Sequence, residues 1–329
     1  MYLWIRSMTS WTHLARLSAL QFDVPIESAG SDTGSITVAG ETKDFTGEWA
    51  ILDGHLLFIK SCSPKSGKTT FSVLTPERAF TRQLWYTGDG SEEYGTFIYS
   101  VLNSEYKSQS DAMYAMPYLS LSNADTTAFT FPVEAQETYS LTDIMIAAIN
   151  AGVKFEWTPD HEKLSLAIST MSIASHNVIF SSSHHQIKSQ SYNGSLVVKA
   201  TVRQVQKEDD VITILSTGTF YWHPNGTVSS TPPSPRIAGD WALVDVDAET
   251  PLLDGATEAM ADNTIEHKIE FWSDREYALG DELQFRIRDI LASGKVTMIR
   301  IKSGDNRYLY RAGSADVTLT EKINSMRKN

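Results

Sequence analysis

The chain has too few cysteines for a disulfide-bonded protein or for a metal site built from cysteines. Its 329 residues include a single cysteine, Cys62, which excludes an intrachain disulfide, a cysteine-based zinc site and an iron–sulfur cluster. Basic residues are in the minority, because 28 Lys and Arg stand against 40 Asp and Glu and give a formal net charge of −12. Since affinity for phosphate backbones comes mainly from Lys and Arg, this balance argues against a protein that wraps nucleic acid.

Long apolar runs are also missing. No run of about 18 apolar residues is present, so no membrane-spanning helix is predicted. Arg6, His13 and Arg16 interrupt the apolar residues at the N-terminus, and this excludes the apolar segment of a secretory signal peptide. We therefore expect synthesis in a cytoplasm without export by the general secretory route.

The familiar sequence patterns of catalysis are incomplete. The segment Ser66–Thr69 resembles the end of a phosphate-binding loop, but Cys62 stands where the first glycine of that loop belongs. A strand-like run at 71–74 follows, instead of the helix whose N-terminus would face the phosphates. The adjacent His184 and His185 do not have the i,i+2 or i,i+4 spacing that suits two ligands of one metal.

Carboxylates and aromatic residues give no catalytic assignment either. The acidic residues between Asp240 and Asp254 lack the spacing of a calcium loop, and no nucleophile elbow of the G-x-S-x-G type is present. A glycosidase needs two carboxylates at a fixed separation in space, which a sequence does not define. The 13 Tyr and 8 Trp are spread along the whole chain, which is typical of core and interface residues rather than of a sugar platform. We predict no enzyme activity and no catalytic, cofactor-binding or metal-binding residue.

Short apolar runs broken by turn residues predict a chain made mostly of β-strands. Runs at 48–52 and 55–60 flank Asp53-Gly54, a dipeptide that is typical of a tight hairpin. Together with further runs between residues 17 and 75, they indicate a small β-barrel or sandwich at the start of the chain.

The region 79–138 has a weaker pattern. It is rich in Tyr, Ser, Thr and Asp, and its apolar residues show little periodicity. We predict a strand at Phe97–Leu102, where apolar residues cluster, and a loop at Ser108–Thr127.

One segment has a clear helical pattern. Ser140 stands at its start, with Asp143 three residues on, which is the acidic variant of a capping box. Gly152 stands where a C-terminal cap belongs. The apolar residues between them form one stripe at helical spacing: Leu141, Ile144, Met145, Ala148 and Ile149. This pattern predicts a helix at residues 140–151 whose apolar face packs against a core.

Three segments, taken in order, resemble the baseplate hub of phage tails and the related N-terminal region of siphophage tail-tip lysins. The first, Gly47–Leu84, is similar to the first tube barrel of such hubs, with a strand, a tight turn, an apolar strand, a return strand and a short helix. The second, the helix at 140–151, resembles the single helix of their inserted domain. The third begins at Ile265–Phe271 and continues into Tyr277–Asp281, a Y-x-L-G-D turn that often lies near the end of these proteins.

This turn supplies the candidate site residues, which are Tyr277, Leu279, Gly280 and Asp281. Gly280 permits a positive φ in the turn, and Asp281 can accept hydrogen bonds from the turn backbone. We expect these residues to form a structural turn motif rather than to take part in chemistry.

The resemblance implies a fold that is mainly β with minor α, of the α+β class. The implied architecture is that of a multi-domain hub with two small tube-type β-barrels and an inserted α+β domain. Its expected limits are 1–78 for the first barrel, 79–192 for the insertion, and 193–329 for the second barrel with a closing β domain. Residues 86–138 match no segment of the family.

The function that the resemblance implies is structural. Such hubs are homotrimers in which two similar barrels per chain present a pseudo-sixfold ring to the sixfold tail tube and adapt it to threefold tip or spike components. The implied partners are the tail tube or distal tail protein, the tape-measure protein, and spike or receptor-binding proteins. DNA passes through the channel without specific binding, and no cofactor is implied. The implied location is the tail tip or baseplate of a virion that is made in the cytoplasm of a host bacterium.

Two other classes stay open. One is a hexameric distal tail protein, a related ring-forming part of the baseplate. The other is a glycan-binding or glycan-hydrolysing β-protein that uses the Tyr- and Trp-rich region 79–138 as its surface. Oligomer number separates the first alternative from the hub, and glycan binding or cell-wall hydrolysis separates the second.

Overall fold

The computed structural model describes residues 1–86, 92–131, 137–180, 184–193, 197–208, 211–223, 227–234, 239–261, 266–287 and 290–313. Its strands are β1 (Tyr2–Arg6), β2 (His13–Ser28), β3 (Gly34–Ala39), β4 (Trp49–Leu52), β5 (His55–Lys65), β6 (Lys68–Leu74), β7 (Gln83–Trp85), β8 (Leu119–Ala124), β9 (Thr138–Ser140), β10 (Val153–Pro159), β11 (Leu164–Thr170), β12 (Ser175–Ile179), β13 (His185–Asn193), β14 (Val197–Glu208), β15 (Val211–Trp222), β16 (Val228–Ser229), β17 (Asp240–Asp247), β18 (Glu266–Ser273), β19 (Glu282–Ile287), β20 (Ile290–Lys302) and β21 (Tyr308–Ala312). Its α-helices are α1 (Tyr94–Leu102), α2 (Leu141–Ala151) and α3 (Leu252–Ala259), with a 3₁₀ turn at Pro76–Ala79 and a π turn at Asn103–Lys107.

The predicted class, mainly β with minor α, is confirmed by this order of elements. No helix in the described ranges is long and apolar enough to span a membrane. The chain divides into two compact units: residues 1–189 together with the chain from Ile269 onward, and residues 190–268. The predicted domain limits at 78 and 192 stay a prediction.

The first six strands close into an antiparallel barrel, which confirms the small barrel predicted at the start of the chain. Their order is β1-β4-β5-β6-β3-β2, and a further ladder between β1 and β2 closes the ring. Because alternate side chains of each strand point inward, the interior is filled by a set of fully buried apolar residues: Leu3, Ile5, Ile36, Val38, Ala50, Leu52, Leu57, Ile59, Phe71 and Val73.

Two hairpins of the barrel turn through left-handed residues. Asp53 and Gly54 have φ of 51° and 83°, as a type I′ turn requires, so the hairpin predicted from this dipeptide is confirmed. Ser66 and Gly67 have φ of 53° and 73°. The segment that resembles a phosphate-binding loop is therefore the turn of the β5–β6 hairpin, and a strand follows it, as predicted.

A second group of six strands continues from the barrel. Their order is β13-β18-β21-β20-β19-β12, and β20 also pairs with β2 of the barrel. Phe180, which follows β12, contacts Phe271 and Phe285, so the sheet curls around an aromatic core that includes Tyr277 and Tyr310. No ladder joins β12 to β13 in the part of the chain that the structure describes. The described strands of this second group therefore form an open sheet, in contrast to the closed first barrel.

A buried network of charges joins the barrel to this second sheet. Arg311 on β21 is 4% exposed, and its guanidinium lies 2.8 Å from Asp32, in the loop between β2 and β3. It also donates at 2.9 Å to Glu270, its cross-strand neighbour on β18, and Lys188 donates to the same carboxylate at 3.0 Å. Burial alone would raise the pKa of Glu270, but the hydrogen bonds from Lys188 and Arg311 hold it below its ordinary value.

The elements between the barrel and the second sheet form an α+β part. β7 pairs with β9, and β10, β11 and β8 form a three-stranded sheet in which β8 and β11 run parallel. Helices α1 and α2 pack on these strands around a core that includes Phe80, Leu102 and Ile144. Trp49 of the barrel belongs to the same core, so the α+β part is packed directly against the barrel.

Two expectations for this part are wrong. Residues Phe97–Leu102, predicted as a strand, lie in helix α1, because Phe97, Ile98, Val101 and Leu102 recur at helical spacing and are buried together. Residues 119–124, inside the predicted loop, form β8. The ladder of β8 comes from β11, far along the chain, and a local sequence pattern does not reveal such a partner.

The helix predicted at 140–151 is confirmed as α2, with Ser140 at the N-cap position. The Ser140 hydroxyl does not cap the helix but donates to the carbonyl of Phe80 at 3.4 Å, because the pairing of β7 with β9 brings the two segments together. Gly152 ends the helix with φ of 102°, the left-handed conformation that favours glycine.

The second unit is a four-stranded sheet with one helix on it. The strand order is β16-β15-β14-β17, with β14 antiparallel to β15 and parallel to β17. Helix α3 packs on one face of the sheet, where the buried residues are Ala200, Val202, Trp222, Ala256 and Met260. This unit therefore has a small core of its own.

Replacing Gly152 tests whether its backbone conformation holds the end of α2. Apart from its chain neighbours, no heavy atom lies within 4 Å of the position of an added Cβ, so Gly152→Ala adds backbone strain without a clash. We expect Gly152→Ala to lower the free energy of unfolding by about 1 kcal/mol. Gly152→Asn should lower it less, because Asn tolerates the left-handed region. Urea titrations check this, and equal losses would contradict it.

Candidate functional site

The four candidate residues lie in one turn between β18 and β19. Gly280 has φ of 88°, and a Cβ on it would lie 2.7 Å from Sδ of Met171, so both the backbone and the space favour glycine. The carboxylate of Asp281 accepts a hydrogen bond from the amide of Ala278 at 2.9 Å. The segment Ile265–Phe271, which also resembles the hub family, precedes this turn. Its first residue, Ile265, lies outside the described residues.

Asp281 is the centre of the polar contacts around the turn. Its side chain is buried, with 4% exposed. One carboxylate oxygen accepts from the amide of Ala174 at 3.0 Å, 107 residues earlier in the chain, and the other lies 3.0 Å from Nε2 of His176. These contacts fix the start of β12 beside β19, with which it pairs in parallel. A single buried carboxylate thus aligns two distant segments.

Tyr277 anchors the start of the turn in the aromatic core of the second sheet. Its ring lies 5.1 Å from that of Tyr310 and 6.1 Å from that of Phe271, between centroids. Its hydroxyl lies 2.7 Å from Nε2 of His185, and burial raises the pKa of this hydroxyl. The tyrosine is therefore a neutral hydrogen-bonding partner inside the core.

The adjacent His184 and His185 have different partners. Nδ1 of His184 lies 2.9 Å from the carboxylate of Asp274, whereas His185 reaches the hydroxyl of Tyr277. Burial lowers the pKa of His185, so its imidazole is neutral near pH 7. Over the described ranges, no three His, Cys, Asp or Glu side chains are grouped so that they could hold a metal ion.

Leu279 connects the turn to the rest of the first unit. Its side chain packs against Ile146 and Ile149 on α2 and against Ala29, which follows β2. The amide of Ala29 in turn donates to the carbonyl of Thr297 on β20 at 2.9 Å. The barrel, the α+β part and the second sheet therefore meet at this turn.

A cleft with a volume of 660 Å³ opens beside the turn. Its walls come from the barrel, from β10, and from Ala278 and Leu279. They combine apolar side chains such as Phe155 and Trp157 with a set of titratable ones: Glu27, His55, Glu77, Lys154 and Glu156.

Two carboxyls in this cleft are held in an apolar environment. Burial raises the pKa of Glu77, although the indole of Trp157 donates to its carboxylate at 2.8 Å and opposes the shift. Burial also raises the pKa of Glu27, against the attraction of Lys154. Raised carboxyl pKa values occur in catalytic sites and in structural clusters alike. Here the pair can take up or release protons above the pH range of an ordinary glutamate.

Sequence reasoning finds the turn but misses the groups around it. His176, Glu27 and Glu77 carry no motif, and their partners lie far along the chain. For the buried pair of Glu270 and Arg311, the sequence does offer a signal. Each is a charged residue inside an apolar run, Ile269-Glu270-Phe271 and Tyr310-Arg311-Ala312. Such a residue is buried only if it finds a partner, so the pattern marks a buried pair without naming its members.

Asp281→Asn removes a charge that several donors share. We expect the free energy of unfolding to fall by about 1–3 kcal/mol, because hydrogen bonds to a charged group are stronger and a buried donor is left unpaired. Urea titration measures the change. Asp53→Asn is the matched control, since Asn is also favoured in a type I′ turn, and it should leave the stability unchanged. An Asp281→Asn variant as stable as the wild type would contradict this role.

Glu77→Gln tests the buried carboxyls of the cleft. Since the pKa of Glu77 is raised in the folded state, its contribution to stability is full below the pKa of an unfolded glutamate and is lost as the pH rises through the raised value. Gln keeps an oxygen for Trp157 but does not ionise. The variant should therefore equal the wild type in acid and have a higher melting temperature at neutral pH.

Thermal unfolding from acid to neutral pH measures the Glu77→Gln difference. The titration of His55, whose pKa burial lowers, is common to both proteins and cancels. Glu156→Gln, at an exposed position on the same cleft, is the matched control and should show no such rise in melting temperature at neutral pH. A Glu77→Gln variant that is less stable than the wild type at every pH would contradict the account.

Comparisons with known proteins find solved structures with a similar fold. A scan against protein-family models finds no match, and a search of curated proteins finds none. A chain of the phage P2 baseplate in its activated conformation with Ca has a TM-score of 0.50 at 13% identity, covering 90% of this chain and 89% of its own. A chain of a topological model of the p2 virion baseplate has a TM-score of 0.51 at 11% identity, covering 96% and 100%. The prophage tail protein gp18 from Listeria monocytogenes EGD-e has a TM-score of 0.48 at 9% identity, covering 100% and 99%.

The two P2 baseplate comparisons extend over almost the whole of this chain. At 11% and 13% identity they concern the course of the backbone rather than individual residues. They cover the barrel, the α+β part and the second sheet in one alignment, which a single common motif would not do. The chain therefore shares the fold of these phage P2 baseplate chains, as the sequence resemblance predicted.

Proposed function

We propose that the chain is a structural protein of a phage virion, a homotrimeric hub at the tail tip or baseplate. The observation that carries this proposal is the fold, which nearly the whole chain shares with chains of the phage P2 baseplate. In this role the hub adapts the sixfold tail tube to threefold tip or spike components and lines the channel for DNA.

The architecture of the first unit supports this change of symmetry. One chain contains a closed six-stranded barrel and a second six-stranded sheet, joined by the ladder between β2 and β20. Two such bodies per chain become six in a trimer, which matches a sixfold tube. We assign the first tube barrel to residues 1–78, the start of the inserted α+β domain to residue 79, and the second tube barrel to the sheet that ends at β21.

The charge of the chain supports a channel through which DNA passes. A trimer carries three times the −12 of one chain, and a negatively charged wall repels the phosphate backbone. The partners in this proposal are the tail tube or distal tail protein, the tape-measure protein, and spike or receptor-binding proteins. The place of action is the virion, after synthesis in the cytoplasm of the host bacterium.

The proposed role needs no bond-breaking chemistry. The turn at residues 277–281 uses its polar groups to hold segments of the chain together. In the region 79–138, six of the eleven described aromatic residues are buried in a core: Phe80, Tyr86, Tyr94, Phe97, Tyr106 and Phe129. These six are not available for the sugar-binding surface that the glycan alternative requires.

The mass and symmetry of the purified protein test the proposal. Light scattering over a concentration series should give about three times 36.6 kDa, and negative-stain averages should show a threefold ring with a pore and a pseudo-sixfold outline. Six copies per ring would favour the distal tail protein. Glycan binding or cell-wall hydrolysis that is lost on a single Asp or Glu substitution would contradict the structural role.

A further inference from the structure

The outer face of β1 carries two exposed aromatic residues. Because side chains alternate along a strand, Leu3 and Ile5 fill the barrel, whereas Tyr2 and Trp4 point away from it. Tyr2 is 51% exposed and Trp4 is 40% exposed. The α+β part covers the neighbouring strand β4, where Trp49 is fully buried, but it leaves these two rings in contact with solvent.

Arg16 on β2 contacts both of these rings. It is the cross-strand neighbour of Trp4. Its guanidinium carbon stands 3.7 Å from the centre of the Tyr2 ring and 4.8 Å from the centre of the Trp4 ring. The ring of His13 lies 5.4 Å from that of Trp4. The arginine patch is this set of four side chains on the outer face of β1 and β2: Tyr2, Trp4, His13 and Arg16.

The guanidinium of Arg16 is held in place but is not neutralised. It stands over the faces of the rings, which leaves the N–H groups along its edge for hydrogen bonds. Among the described residues, none accepts a hydrogen bond from Arg16 or forms an ion pair with it. By contrast, Arg203 on β14 donates two hydrogen bonds to Asp245, at 2.8 and 3.0 Å. Arg16 therefore combines an oriented side chain with donors that an anion from another molecule can use.

The strands that form the arginine patch contain few acidic residues. Residues 1–22 include no Asp or Glu, and neither does β4. Asp23, the first acidic residue of β2, accepts a hydrogen bond from Arg300 at 2.7 Å. Glu48, directly before β4, accepts one from the amide of Met8 at 2.6 Å. Both carboxylates are thus engaged elsewhere.

The remaining acidic residues lie at the two ends of β1. Asp53 directly follows β4 at the Tyr2 end. Asp160 and Glu162 belong to the turn between β10 and β11, which reaches the other end of β1. None of these three makes a hydrogen bond or an ion pair with Arg16 in the described structure. In a chain with a net charge of −12, the middle of this row is a local site for a negatively charged group.

The chemistry of the arginine patch favours a carboxylate on a protein segment. A phosphodiester chain carries many charges and is repelled by the acidic remainder of the molecule. A sugar or a base stacks on the face of an aromatic ring, but Arg16 covers one face of each ring and His13 stands beside Trp4. A carboxylate needs only the edge of the guanidinium, to which it binds through two parallel hydrogen bonds.

We propose that the arginine patch binds an acidic segment of another protein. In this contact an Asp or Glu of the partner pairs with Arg16, and an adjacent apolar side chain of the partner packs against the exposed edges of Tyr2 and Trp4. The inference goes beyond the proposed function. It concerns one surface of the first barrel and does not depend on the number of copies in the oligomer.

A library of short random peptides tests this chemistry. Peptides displayed on yeast are selected on the immobilised full-length wild type and, in parallel, on Arg16→Ala. We expect the wild type to enrich peptides in which Asp or Glu stands next to an apolar residue, and Arg16→Ala not to enrich them. A wild-type pool without this enrichment, or the same pool from both proteins, would overturn the proposal.

Point variants separate a specific pair from a general effect of charge. A selected peptide is titrated by fluorescence anisotropy. Arg16→Ala should weaken its binding by about tenfold or more, because hydrogen bonds between charged groups are lost. Arg16→Lys should also weaken it, since Lys keeps the charge but lacks the planar fork. Arg203→Ala is the matched control, because it removes an exposed arginine whose donors are already occupied. An equal loss in Arg203→Ala would overturn the assignment to Arg16.

The oligomer identifies the competing occupant, a second copy of this chain. Sedimentation over a concentration series compares the wild type with Arg16→Ala, and circular dichroism with a urea midpoint verifies that the variant is folded. The proposal predicts the same oligomer for both. Dissociation of Arg16→Ala alone would show that copies of this chain cover the patch, which overturns the proposed partner and leaves the trimer in place. A wild type that forms no trimer but selects acidic peptides would contradict the proposed function and support this inference.

Discussion

The buried guanidinium of Arg311 is the contact on which the arrangement of the first unit depends. It binds Asp32 from the barrel and Glu270 from the second sheet, and almost none of it reaches water. Breaking a buried pair by removing one partner costs about 3–5 kcal/mol, because a charge is left uncompensated. The network therefore fixes the barrel and the second sheet in one arrangement. The turn at residues 277–281 joins the α+β part to this arrangement, because Leu279 of the turn packs on α2.

A rigid first unit is what the proposed symmetry adaptor needs. If the barrel and the second sheet moved freely, six such bodies in a trimer would not present one ring to a tail tube. Two buried carboxylates, Asp32 and Asp281, each hold segments that are far apart in the sequence, while apolar packing fills the space between them.

Local signals in the sequence were enough for part of this fold. The Asp53-Gly54 hairpin, helix α2 and the glycine of the turn were predictable, because each depends on residues that are neighbours in the chain. Helix α1 and strand β8 were not, since tertiary partners decide both. The pairing of Arg311 with Asp32 spans 279 residues.

The proposed hub requires the two six-stranded bodies of one chain to take near-equivalent places in a ring. An electron cryomicroscopy reconstruction of the purified oligomer, calculated without imposed symmetry, tests it most directly. We expect three copies around a pore, with six lobes in which the first barrel and the second sheet alternate. A ring of six copies, or a threefold particle in which only one of the two bodies lines the pore, would contradict it.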